Sequence, residues 1–174
     1  MIRIALDVMG GDNAPASNID GAIDFLTKSN NSIQIYLVGI ESEIKKRISN
    51  IPKDVLNQIK IIHASEVVDS NDSPSRIFKN KPDSSMIKAI ELLKEEKVNA
   101  IISAGNTGCL LSASFFKLGL IEGIKRPALF ALVPSENGNF LLCDVGANPI
   151  IKPNHLLQFG RMCKIYMKYE MKIK

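Results

Sequence analysis

Short runs rich in Ile and Val recur along the chain, and stretches with helical spacing separate them. Residues 2–8, 33–38, 59–63 and 98–103 are such runs. They are too short to be buried helices, and their β-branched side chains suit a pleated strand. Residues 15–28 put Ile19, Ala22, Ile23 and Leu26 on one helical face. Residues 84–97 repeat Met86, Ile90 and Leu93 at helical spacing, with Ala89 and Leu92 widening the stripe. Residues 42–51 read as a helix closed by Pro52, and residues 107–118 as another. This alternation predicts an α/β fold with a largely parallel sheet and helices on both faces. Further on, residues 129–133 and 140–145 read as two more strands around the polar turn 135–139, and a helix starts at Pro153. At 174 residues the chain suits a single α/β domain over 1–174.

The charge pattern narrows the list of partners. A net charge of +4 is mild, and the cations scatter until the C-terminal helix, so no nucleic-acid partner is expected. That basic end reads as the frayed end of a helix, with a membrane-surface helix as the alternative. Cys109, Cys143 and Cys163 lie far apart with no CxxC spacing, which gives neither a disulfide framework nor a zinc site and suits a reducing compartment. No metal and no cofactor is expected. The first apolar run is cut by Asp7 and the glycines, so no leader peptide is expected. No apolar stretch approaches the roughly 18 residues of a membrane span, so a soluble or peripheral protein is expected.

Four stretches carry residues suited to chemistry. The first, ALDVMGGDNAP, ends a strand at Asp7 and continues into Gly10, Gly11 and Asp12. Glycines after a strand suggest an anion site, whereas the carboxylates would repel an anion. The second is IISAGNTGCLL, a strand ending at Ser103 that runs through Gly105, Asn106, Thr107 and Gly108 into a helix. Unpaired N–H groups at the helix start favour an anion, and the hydroxyls and amide add donors. The other reading is a helix start that Asn106 or Thr107 simply caps. It is neither a Walker A loop nor a GxGxxG, so no nucleotide is specified.

The third stretch, SPSRIFKNKPDSSM, lies in the long polar loop 65–82 and just beyond it. It holds Arg76, Lys79 and Lys81 ahead of Ser84 and Ser85 at a helix start. It is a second anion cradle or a solvated basic loop with serine capping. The fourth, LLCDVGANP, repeats the layout of the first with Asp144 and Asn148, and each aspartate can equally be a turn-capping residue. His63 reads as structural, His155 as exposed, and the cysteines as small apolar core residues.

Taken together, ALDVMGGDNAP, SSMIKAIELLKE, SAGNTGCLL, GIKRPAL and LLCDVGANPIIKPNHLLQFG resemble, in the same order, the blocks of the PlsX family of bacterial phosphate acyltransferases. The resemblance implies an isocitrate/isopropylmalate dehydrogenase-like α/β fold and a homodimer able to associate with the membrane surface. It implies transfer of an acyl group from acyl-[acyl carrier protein] to inorganic phosphate, in phospholipid synthesis in the cytoplasm. On that basis Ser103, Gly105, Asn106, Thr107 and Gly108 are expected to cradle phosphate, helped by Arg76, Lys79 or Lys81. Asp7, Asp12, Asp144 and Asn148 are expected to orient the cations and glycine turns. Family chains continue well past residue 174, so the resemblance covers their first half. Cys109 stands where the family usually has alanine. A non-catalytic fragment and a transferase using coenzyme A thioesters are the alternatives.

Overall fold

Parallel pairing of the Ile- and Val-rich runs builds the first part of the chain. The computed structural model describes residues 1–29, 32–136, 138–148 and 150–172, so Asn137 of the polar turn and Pro149 of LLCDVGANP lie outside the described residues. The chain divides into two compact units, Met1–Leu118 and Gly119–Lys174.

In the first unit the elements run β1 (Ile2–Asp7), α1 (Ala16–Lys28), β2 (Ile33–Gly39), α2 (Glu41–Ile48), α3 (Lys53–Leu56), β3 (Ile59–His63), α4 (Ile77–Asn80), α5 (Ser85–Lys94), β4 (Ala100–Ser103) and α6 (Thr107–Leu118). The sheet is parallel, in the order β3-β2-β1-β4. Register places Ile4 beside Ile35 of β2, and Asp7 beside both Val38 of β2 and Ser103 of β4. The chain winds outward from β1 to β3 and then returns to the other side of β1. The gap between β1 and β4 is therefore the switch point, where open α/β sheets bind ligands beyond the strand ends.

Alternation along each strand sends side chains to two cores. On one face Leu37 and Ile35 pack with Ile19, Ala22 and Leu26 of α1 and Ile44 and Ile48 of α2. On the other, Ala5, Tyr36 and Val38 pack with Ala89 and Leu92 of α5. A third cluster joins Met86, Ile87 and Ile90 of α5 to Cys109 and Ala113 of α6. Each fully buried Leu or Ile contributes about 2 kcal/mol, so this two-sided burial is what holds the strand ends in place. The expected α/β class, with helices on both faces, is what forms.

Two local readings change. Pro52 does not end a helical region, because its fixed φ precedes a further short helix, α3, whose Val55 is buried. The final two strands do not extend the parallel sheet. In the second unit β5 (Phe130–Ser135) and β6 (Gly138–Cys143) pair antiparallel as a separate hairpin. A connection this short cannot make the crossover that parallel strands need. α7 (Pro153–Tyr169) follows. His155, expected at the surface, is buried there at 8% exposure; its Nδ1 accepts the Lys152 N–H at 3.3 Å. No helix among the described residues is long and apolar enough to cross a membrane.

Candidate active site

The turns after β1 and β4 press directly on one another. A Cβ added at Gly10 would lie 2.7 Å from the Gly105 backbone nitrogen, closer than any side chain tolerates. Gly11 has φ +99°, in the left-handed region that favours glycine, and it sits over Ala104. The double glycine of the opening motif therefore serves close backbone approach.

Asp7 ties the two turns together. It is 2% exposed and accepts the Ser103 hydroxyl at 2.7 Å and the Met9 N–H at 3.2 Å. Ser103 Oγ in turn accepts the Gly105 N–H at 3.2 Å. A buried carboxylate keeps its place only when such donors satisfy it. Asp7 thus holds a hydroxyl and a turn, and touches no cationic side chain among the described residues. Asp12, in the same turn as Gly11, is exposed and makes no hydrogen bond or ion pair among the described residues.

Asn106 is the N-cap of α6. Its Oδ1 accepts the Cys109 N–H at 3.0 Å, and its Nδ2 donates to the carbonyls of Ser70 (2.9 Å), Asp69 (3.3 Å) and Asp72 (3.4 Å). The amide is committed to capping and to stapling the loop, so it has no donor left for an anion. Pro74 packs on Gly108, and its carbonyl accepts the Ser112 hydroxyl at 2.9 Å, which seats the same loop on the first turns of α6. Within this turn, the N–H groups of Thr107 and Gly108 and the Thr107 hydroxyl stay unengaged among the described residues. Both residues are exposed. They sit at the positive end of the α6 dipole.

The basic loop separates into two roles. Lys81 Nζ contacts Asp69 and Asp72 at 2.6 Å each and donates to the Val67 carbonyl at 2.6 Å. Burial works against the Lys81 ammonium, but the hydrogen bonds to Asp69 and Asp72 outweigh it and raise its pKa. Lys81 is therefore an internal strut of the loop. Arg76 and Lys79 are exposed and form no ion pair among the described residues. Ser84 and Ser85 are buried at the start of α5, where Ser84 Oγ has no hydrogen-bond partner among the described residues. Next to them, Asp83 accepts from Lys88 and Ser65, which together hold its carboxyl well below the usual carboxylate range.

In the second unit Asp144 accepts the N–H groups of Leu129 (3.0 Å) and Asn148 (2.9 Å) and the Asn148 amide (2.9 Å). Asn148 also donates to the Pro127 carbonyl at 2.9 Å. Burial opposes the Asp144 charge, yet these donors outweigh it and lower its pKa. This is the turn-capping reading of that motif.

Three contributors went unread in the sequence. Asn18 donates to the Val8 and Gly10 carbonyls at 2.9 and 2.7 Å, bracing the first glycine turn from α1. Its signal was a lone amide next to the apolar stripe of that helix. Asp69 and Asp72 anchor Lys81, and no local pattern marks that pairing.

Interlocked glycine turns at the switch point of a parallel sheet flanked by helices place the first unit in the Rossmann-like α/β class. Comparison with known sequences gives the particular kind: the chain belongs to the family described as fatty acid synthesis protein, which matches residues 2–174. It is 43% identical over 175 residues to a phosphate acyltransferase of Halothermothrix orenii, covering 99% of this chain and 51% of that one. It is 47% identical over 166 residues to a phosphate acyltransferase of Bacillus pumilus, covering 95% and 48%. The chain thus spans about half the length of the curated relatives it matches. The family read from the sequence blocks is borne out.

Proposed function

We propose that this chain holds the phosphate in a phosphate acyltransferase site that takes its acyl group from acyl-[acyl carrier protein]. The observation that carries the reading is the start of α6, where Thr107 and Gly108 keep open N–H donors while the Asn106 side-chain amide and the Gly105 and Cys109 N–H groups are committed. The relatives' activity supports it. Arg76 and Lys79 supply cations on the loop docked against that helix start, and Asp7 acts through Ser103 and Gly105 as a positioning residue.

In this reading hydrogen phosphate is held by hydrogen bonds with one oxygen free. That oxygen attacks the thioester carbonyl, a C–O bond forms and the C–S bond breaks. The thiolate leaves and takes the phosphate proton, giving acyl phosphate and the free thiol. A thiolate is a good leaving group, so positioning and charge stabilisation are the main demands on the protein. The product feeds phospholipid synthesis in the cytoplasm, and the working assembly is a homodimer able to contact a membrane surface.

A phosphate titration followed by amide NMR tests this. Shifts are expected at Thr107 and Gly108, and Thr107→Ala with Arg76→Ala is expected to weaken binding about tenfold, the loss of a charge-assisted contact. Unchanged affinity in that double variant rejects the cradle. A second reading is a non-catalytic fold that binds phosphate weakly or not at all. An assay for acyl phosphate from carrier-protein and coenzyme A thioesters separates the two and identifies the donor.

A further inference from the structure

Two carbonyls of the first glycine turn end on one side chain. Asn18 Nδ2 donates to the Val8 carbonyl at 2.9 Å and to the Gly10 carbonyl at 2.7 Å. Both partners are acceptors, so the amide nitrogen must face them, and its two hydrogens match the two bonds. A carboxylate in that place would set acceptors against acceptors, and a hydroxyl could serve just one of the carbonyls. Asn18 lies in the first turn of α1, next to the fully buried Ile19. The amide is therefore presented from a helix locked onto the sheet rather than from a loop.

The grip is aimed at the residue that matters for the site. The Val8–Met9 peptide is held at both edges, its carbonyl by Asn18 and its N–H by the Asp7 carboxylate. A peptide unit is planar, so bonds at both edges fix its tilt. The second bond holds the carbonyl of Gly10, and Gly10 is the residue that bears on Gly105. Gly105 has little room to retreat. A Cβ added to it would lie 3.1 Å from the Met86 methyl of α5 and 3.5 Å from Gly10 Cα. Its N–H is bonded to Ser103 Oγ, and Asn106 and Thr107 follow it directly. In packing this close, a displacement of the β1 turn passes through Gly105 to the start of α6.

We propose that Asn18 is a positioning residue of the candidate site. By holding the Val8 and Gly10 carbonyls from α1, it sets where Gly105 lies, and through Gly105 the Thr107 and Gly108 N–H groups. It acts without touching the ligand. Its bearing on phosphate rests on the phosphate acyltransferase reading, whereas its hold on Gly105 does not.

The test uses the 174-residue chain and inorganic phosphate, followed by amide NMR with urea unfolding in parallel. Asn18→Ala removes both donors, and Asn18→Asp adds repulsion between a carboxylate and the two carbonyls. Asn18→Ala is expected to move the Gly105 amide resonance and to weaken phosphate binding about fivefold, the size of effect open to a residue that reaches a site through its neighbours. Asn18→Asp is expected to do the same to a larger degree. Ala22→Gly, in the buried stripe of the same helix, is the control for stability alone. It is expected to lower the urea midpoint and leave the Gly105 resonance and the phosphate affinity in place. Unchanged phosphate affinity in folded Asn18→Ala overturns the proposal. So does an equal loss of affinity in Ala22→Gly, because Asn18 would then act only through the stability of α1. Should Asn18→Asp fail to fold, Asn18→Ala decides. An unaltered chain that binds no phosphate rejects the cradle, and the Gly105 resonance then decides the role of Asn18. Displacement of that resonance in Asn18→Ala but not in Ala22→Gly keeps the role, and an unmoved resonance ends it.

Discussion

Asp7 and Asp144 follow strands in nearly the same local wording, each leading into a glycine-containing turn, yet they do different work. Asp7 is buried and reaches a hydroxyl on a strand 96 residues away in sequence. Asp144 satisfies itself within its own surroundings, from Leu129 and Asn148. The first joins two strand ends across a switch point, and the second closes a turn. A motif of strand, aspartate and glycine therefore specifies a turn, while its neighbours decide whether that turn becomes part of a site.

The sharpest break in this comparison is Asp7→Ala. It leaves the half-buried Ser103 hydroxyl and Met9 N–H without their buried acceptor and should lower the stability of the first unit by about 3 kcal/mol, read by urea unfolding. Gly10→Ala comes next. Its methyl must displace the Gly105 backbone, which should cost about 2 kcal/mol and shift the Gly105 amide resonance. Asp144→Ala should cost about 1 kcal/mol and leave the Gly105 resonance in place, since its bonds are local. Equal losses for Asp7→Ala and Asp144→Ala would erase the contrast.

A pH titration sharpens the comparison further. The folded pKa of Asp144 lies below its unfolded value, so its stabilisation is complete above the ordinary carboxylate pKa of about 4. It is lost as pH falls through the lower, folded value, and the Leu129 and Asn148 amides should report that loss together. The smallest effect is expected at the neighbouring Cys143. Burial first, and then contact with Cys163, push its thiol up to about 12, so iodoacetamide near pH 8 should leave it unmodified over hours.

Much of the fold was legible because two periodicities carry it. Ile and Val runs marked β1 to β4, and apolar stripes marked α1 and α5, to within a few residues. α3 was missed because a proline that ends one helix can equally begin the next. The meeting of the β1 and β4 turns at the switch point was legible for the same reason as the fold, since glycine turns follow both strands. Its wiring was not. The Asn106 amide bonds carbonyls 34 to 37 residues back, and Lys81 pairs with Asp69, so neither role can be read from neighbours in sequence. The stretches named Asn106 and Lys81 without showing that their donors were already taken, and they left out Asn18 altogether.

The chain of contacts from Asp7 through Ser103 to Gly105 also makes one backbone amide a gauge of the whole switch point. Exchange of the Gly105 hydrogen with solvent deuterium requires Ser103 to let go, and Ser103 is held by a residue on another strand. Its protection therefore measures how often β1 and β4 part at their ends, a local opening below the free energy of global unfolding. A single glycine peak, followed over hours in heavy water, would record the breathing of the cleft without any ligand present.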